Sequence, residues 1–175
     1  MRIFNDFLRS DDLSSLTNLA SSAKKSPYLR TNLGSWKSDI VQYSNPVLIY
    51  DIPEKYTANL RRYPEMEDAT AFMLYFWTDG SYIPWHNDDH ASKTGTIYLN
   101  TEWERDWGGY LCWDNTFMIP TYNTLALQID KDWHCTTPVT RPFYKLSQGA
   151  HVMAGQTHVI EIMRTTLQFF RLEEE

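Results

Sequence analysis

This 175-residue chain lacks long apolar runs, basic clusters and internal repeats, and it has only two cysteines. No stretch approaches the roughly 20 apolar residues that a membrane-crossing helix requires, so no membrane association is expected. The opening MRIFNDFLRSDD is broken by acidic side chains where a secretory leader would be apolar. A cytoplasmic location is the resulting expectation. Cys112 and Cys135 are too few for a disulfide framework and read as two buried thiols in strands. Lys24-Lys25 and Arg61-Arg62 are the only adjacent basic pairs, against a net charge of −6. Ligands with a phosphate backbone call for a basic stripe, so nucleic acid is not the expected partner. The Glu173-Glu174-Glu175 tail reads as solvated.

Aromatic residues are plentiful, at 15% with seven Trp, enough to build both a core and the walls of a pocket. The length suits a single domain over 1–175, able to bury roughly 70% of its unfolded surface without cross-links. Leu13, Leu16, Leu19 and Ala20 recur on one helical face, which predicts a helix over 10–24 with Ser10 or Asp11 as its cap. A second short helix is expected from Pro53, carrying Tyr56 and Leu60. From about Ala69 the pattern turns to strands. Residues 70–77 are apolar on both faces, and 95–100 are rich in β-formers. Residues 123–130 alternate, with Leu125, Leu127 and Ile129 opposite Thr124, Ala126 and Gln128, and 158–170 supply one or two more strands. Short strands punctuated by Gly, Asp, Asn and Pro predict a mainly β sandwich or jelly roll over 70–172. Residues 1–69 form its helical lead-in.

The chemistry-bearing segment is Ser81-Tyr82-Ile83-Pro84-Trp85-His86-Asn87-Asp88. Residues i and i+2 of a strand share a face, so His86 and Asp88 can meet one ion while Asn87 points away. Imidazole plus carboxylate suits a borderline divalent metal, and three protein ligands leave coordination positions open for substrates. Asp89 and His90 lie close enough to compete. The other histidines able to complete the set are His134, His151 and His158. His134 follows the alternating 123–130 strand. A structural zinc site joining His134 to Cys135 is a poor chelate, because adjacent strand residues face opposite ways.

In order along the chain, five segments resemble the prolyl 4-hydroxylase-like branch of the 2-oxoglutarate/Fe(II) dioxygenase superfamily. They are IFNDFLRSDDLSSLTNLA, LYFWTDGSYIPWHND, GTIYLNTEWERDWGGYLCW, NTLALQIDKDWHCTTPV and RTTLQFF. The likeness covers residues 1–19 and 71–170.

The resemblance implies a double-stranded β-helix with helices packed on one outer face. It implies Fe(II), 2-oxoglutarate and O₂ as cofactor and cosubstrates, with ascorbate as an accessory. His86, Asp88 and His134 match the metal triad. Arg164 matches the residue that pairs with the distal carboxylate of 2-oxoglutarate, a bidentate task suited to guanidinium. Tyr98 and Tyr75 match pocket tyrosines. Trp103, Trp107 and Trp113 flank the expected pocket mouth and are candidates for holding substrate. The implied reaction is hydroxylation of an unactivated C–H bond, and Asp88 favours that over halogenation. The implied substrate is a prolyl residue of a peptide or protein, with a small molecule as the alternative. The interval from His134 to Arg164 is long for the branch, which predicts an insertion over about 139–157. His158 then competes for the third ligand position, and Arg141 competes for the cosubstrate. Rival readings are a non-catalytic jelly-roll binding module and a same-fold oxygenase acting on nucleic acid.

Overall fold

The structure is a computed structural model, in which residues 1–31, 47–129, 131–140 and 162–173 are described. Eleven strands, two α-helices and a short 3-10 helix (Arg105–Trp107) make up the regular structure of those residues. Strand β1 (Arg2–Phe4) precedes helix α1 (Ser10–Ala23), and β2 (Arg30–Thr31) and β3 (Val47–Asp51) precede helix α2 (Glu54–Leu60). The remaining strands are β4 (Ala71–Thr78), β5 (Ile83–His86), β6 (Ala91–Tyr98), β7 (Leu111–Trp113), β8 (Thr116–Met118), β9 (Leu125–Gln128), β10 (His134–Thr136) and β11 (Ile162–Leu172).

They form two antiparallel sheets. The larger has seven strands in the order β1-β9-β6-β11-β4-β3-β2, and the smaller has four in the order β5-β10-β7-β8. This is the expected mainly β jelly roll. Long crossovers place β11, the last strand, between β4 and β6 at the centre of the large sheet.

Side-chain alternation gives the large sheet two different faces. Phe72, Leu74, Phe76, Ile97, Leu125 and Leu167 project outward and are buried beneath Leu13, Leu16 and Leu19 of α1 and Leu60 of α2. The inner face carries Tyr75, Trp77, Thr94, Thr96, Tyr98 and Gln128, which look into a cavity closed on its far side by the small sheet. Burial of the outer face at roughly 25 cal/mol per Å² supplies the cohesion that the polar inner face does not.

Several boundaries differ from expectation. Arg9, not Ser10 or Asp11, occupies the cap position of α1, and no side chain caps it; Asp11 and Asp12 instead sit in the first turn, where the helix dipole favours them. Pro53 lies one residue ahead of α2, and its carbonyl accepts from Tyr56 N–H at 2.9 Å. Strand β6 begins earlier than position 95, at Ala91. Strand β9 is shorter than 123–130. Asn123 adopts a φ of 54° and its side chain clamps Leu8, accepting at 2.9 Å and donating at 3.0 Å. Ile129, expected to share the face of Leu125 and Leu127, falls beyond the strand and is exposed. The expected 158–170 region holds one strand, β11, with 158–161 outside the described residues. The lead-in is not only helical, because β1 lies at one edge of the large sheet and β2 and β3 at the other.

Gly95 pairs directly with Phe169 across β6 and β11. A Cβ at this position would lie 2.2 Å from the buried Phe169 ring. Gly95→Ala is therefore expected to destabilise the protein by about 1–3 kcal/mol through overpacking. A urea-unfolding midpoint unchanged from wild type would show that the ring moves aside freely.

Candidate active site

The site forms where β10 pairs antiparallel with β5. In that register His134 lies directly opposite His86. Opposed residues of such a pair bring their Cβ atoms to about 4.5–5.5 Å, and here the imidazole centroids are 4.1 Å apart. Asp88 is not part of the strand. It lies two residues past the end of β5, in a turn closed by Ala91 N–H donating to the Asp88 carbonyl at 2.9 Å. The turn swings its carboxylate between the two rings, with Oδ1 at 3.6 Å from His86 Nε2 and Oδ2 at 3.9 Å from His134 Nε2. One ligand atom from each of the three residues lies within 4.8 Å of the others.

Both imidazoles are oriented for coordination by the backbone. His86 Nδ1 lies 2.7 Å from the Pro84 carbonyl and His134 Nδ1 lies 2.9 Å from the Asp132 carbonyl. A carbonyl oxygen can only accept, so each of these bonds calls for the proton on Nδ1 and a lone pair on Nε2, while the Gln128 side-chain nitrogen, 2.5 Å from His134 Nδ1, calls for the opposite tautomer of that ring. Burial, then the neighbouring His134, holds the His86 pKa below its ordinary value against the opposing pull of Asp88. That keeps the ring neutral and able to act as a ligand. Two nitrogens and one carboxylate arranged on one side of a point fit a divalent transition metal such as Fe(II), with the remaining positions open to the cavity.

Arg164, on β11, reaches the same cavity and is buried. Its guanidinium lies 4.0 Å from the centre of the Trp77 ring, with Tyr98 at 5.7 Å and Trp103 at 5.9 Å. Nη1 donates to the Gly109 carbonyl, whereas Nε has no partner among the described residues. Gly109 has a φ of 67°, and a Cβ there would stand 2.5 Å from Nη1, so the absence of a side chain makes room for the guanidinium. No carboxylate of the described residues pairs with Arg164, and burial lowers its pKa to about 10. A buried cation with an orphaned donor is costly unless an anion joins it. The arrangement therefore fits a carboxylate ligand. Burial raises the Tyr98 phenol to about 12 and, with Asp88 second, the Tyr75 phenol to about 12, so both keep their protons as donors at neutral pH.

Six residues proposed from the sequence, His86, Asp88, His134, Arg164, Tyr98 and Tyr75, thus line one cavity of about 390 Å³. Trp103, Trp107 and Trp113 do not line it. Trp107 is buried, Trp103 donates to the Gly108 carbonyl at 3.0 Å, and Trp113 sits in β7 opposite His134. The tryptophans that do line it, beyond Trp77, are the exposed Trp85 and Trp133, each one residue ahead of a histidine of the cluster. Gln128, Thr94, Thr96 and Gln168 also line it and were not singled out from the sequence. His90 is outside the metal cluster, with its ring 5.9 Å from Phe170, and Asp89 is exposed. Cys112 and Cys135 do lie in strands, as expected, and are free thiols. They are opposite each other on β7 and β10 and half-buried rather than buried. Arg141, His151, His158 and nearly all of the 139–157 interval fall outside the described residues.

No family model and no curated protein sequence matches the chain. Solved structures do. A prolyl-4-hydroxylase from Pseudomonas putida aligns with a TM-score of 0.64 at 16% identity, over 98% of this chain and 92% of that one. A 2OG-Fe(II) oxygenase family oxidoreductase from Burkholderia pseudomallei gives 0.61 at 12% identity, over 96% and 82%. HygX from Streptomyces hygroscopicus, solved with nickel, 2-oxoglutarate and hygromycin B, gives 0.57 at 8% identity, over 96% and 81%. At these identities the likeness establishes the fold, the double-stranded β-helix common to those structures. No helix of the described residues is long and apolar enough to cross a membrane.

If the three donors share one ion, His86→Ala and His134→Ala should each weaken Co(II) binding by more than the roughly 10–100-fold that loss of an outer partner costs. Calorimetric titration checks this, with far-UV circular dichroism confirming the fold. Retention of tight binding in either variant would remove that residue from the cluster.

Proposed function

We propose that the chain is an Fe(II)- and 2-oxoglutarate-dependent dioxygenase that hydroxylates an unactivated C–H bond. The observation that carries this reading is a single cavity holding both an open-sided His86–Asp88–His134 cluster and a buried Arg164 that has no anionic partner among the described residues. A metal ion alone accounts for the first feature and not for the second. A dicarboxylic cosubstrate that spans from metal to guanidinium accounts for both. Bound iron with 2-oxoglutarate and O₂ supplies the oxidising equivalent for C–H hydroxylation, with succinate and CO₂ as co-products.

The chain's own residues perform the rest. His86, Asp88 and His134 hold the ion by three positions and leave the others facing the cavity. Arg164 and the protonated Tyr98 fix the distal carboxylate of the cosubstrate, and Tyr75 offers a second donor. Trp77, its ring centre 4.0 Å from the guanidinium, excludes water around Arg164, which strengthens its hold on the carboxylate. In this reading the substrate is a prolyl residue of a peptide or protein, approaching from the end of the cavity bounded by Trp85, Trp133 and His90. The structural likeness to the Pseudomonas putida prolyl-4-hydroxylase supports it.

The test is succinate formation from 2-oxoglutarate with Fe(II) in wild type, His86→Ala, His134→Ala and Arg164→Met. The histidine variants should lose activity altogether. Arg164→Met should raise the 2-oxoglutarate KM by about 30-fold or more, the effect of removing one partner of a buried charge pair, with Co(II) affinity unchanged. Absence of succinate from wild type, with metal bound, would favour a non-catalytic jelly-roll module. A panel of prolyl peptides and free small molecules, read by mass spectrometry for a gain of one oxygen, separates the two substrate classes.

A further inference from the structure

Two groups hold His134 from behind. Its Nδ1 lies 2.9 Å from the Asp132 carbonyl oxygen and 2.5 Å from the Gln128 side-chain nitrogen. The carbonyl accepts only, which suits a proton on Nδ1 and a free lone pair on Nε2. An amide NH₂ donates only, which suits the opposite tautomer, with Nδ1 accepting and the proton on Nε2. A ring protonated on Nε2 has no lone pair there for a cation. The two neighbours of Nδ1 therefore ask for opposite states of the same ring, one able to take a metal and one not.

The far end of the Gln128 amide resolves the conflict. Thr94 Oγ1 donates to Gln128 Oε1, and both residues are buried on the cavity face. A hydroxyl donates or accepts with equal ease. A half-turn of the amide places Oε1 on His134 Nδ1 and lets Nε2 donate to Thr94, at the loss of the long 3.5 Å bond from Nε2 to the Asp132 carbonyl.

We propose that Gln128 is a positioning residue for the metal. Loading of His134 Nε2 is accompanied by a half-turn of the Gln128 amide, so that Oε1 accepts from Nδ1–H, and Thr94 holds either orientation by exchanging donor for acceptor. The proposal rests on the metal reading of His86, Asp88 and His134. The role belongs to the side-chain oxygen as an acceptor, not to the volume of the residue. The Asp132 carbonyl retains part of the bond when Gln128 is removed. The expected cost thus lies at the lower end of the 10–100-fold range for such partners, about 10-fold.

The experiment titrates Co(II) calorimetrically into wild type, Gln128→Leu, Gln128→Glu and Thr94→Val. Long-range ¹H–¹⁵N correlation spectra of the histidines of wild type, with and without Zn(II), read the tautomer. Gln128→Leu should bind Co(II) about 10-fold more weakly. Gln128→Glu should bind at least as tightly as wild type, because it keeps an acceptor in place. Thr94→Val should fall between wild type and Gln128→Leu. Zn(II)-loaded wild type should show His134 protonated on Nδ1. Binding by Gln128→Leu within twofold of wild type would overturn the proposal, as would a Glu variant as weak as the Leu variant. If Gln128→Leu does not fold, Gln128→Glu, Thr94→Val and the spectra decide the matter. A Thr94→Val affinity equal to wild type would overturn the part given to the hydroxyl. Wild type that binds no Co(II) would overturn the metal reading, and this inference with it.

Discussion

The antiparallel pairing of β10 with β5, with His134 opposite His86, is the contact on which the rest of the site depends. A strand has a side-chain period of two, so slipping this register by one residue would turn an imidazole out of the cavity and a tryptophan into its place. The register is supported on the other side by β7, which pairs with β10 along its whole length. Asp88 depends on the same contact less directly. It lies in the turn that carries the chain from β5 in the small sheet to β6 in the large one, so its position is set by the gap between the sheets.

Arg164 shows what that gap costs. A guanidinium buried against Trp77 and Tyr98, with one carbonyl partner and one unpaired nitrogen among the described residues, is costly to the fold by itself. Cohesion comes from the opposite face of the same sheet, where α1 and α2 cover an apolar surface that makes no contact with the chemistry. The division is a physical one: the outer face supplies burial, and the inner face retains polar groups whose solvation has been only partly replaced.

The two carboxylate-type tasks in the cavity are kept apart by environment. Asp88 sits beside two imidazoles, a setting that suits a cation, whereas Arg164 lies on β11 against Trp77, a setting that suits an anion. Between them lie tyrosines held neutral by burial and a row of threonine and glutamine side chains hydrogen-bonded to one another. None of these tyrosine, threonine and glutamine side chains carries a charge.

Much of this was legible in the linear order of residues. The His86-x-Asp88 spacing, the apolar run that became β4 and the closing strand that carries Arg164 are local patterns, and local patterns report on one or two elements at a time. The tryptophans show where that ends. Trp103, Trp107 and Trp113 stood near the expected mouth in sequence, yet Trp85 and Trp133 line the cavity, because Trp85 lies in β5 and Trp133 directly precedes β10, the strands that bring the histidines together. Gln128 reads in isolation as the solvent-facing side of an alternating strand; only a second sheet packed opposite makes that side an interior wall. The sequence by itself determined which side chains could coordinate, donate or pack, and on which face of its own strand each would lie. The tertiary structure alone decided which of those faces meet, because the distance between His86, His134 and Arg164 depends on strand pairing and sheet separation across long stretches of chain, quantities to which no periodicity of the chain refers.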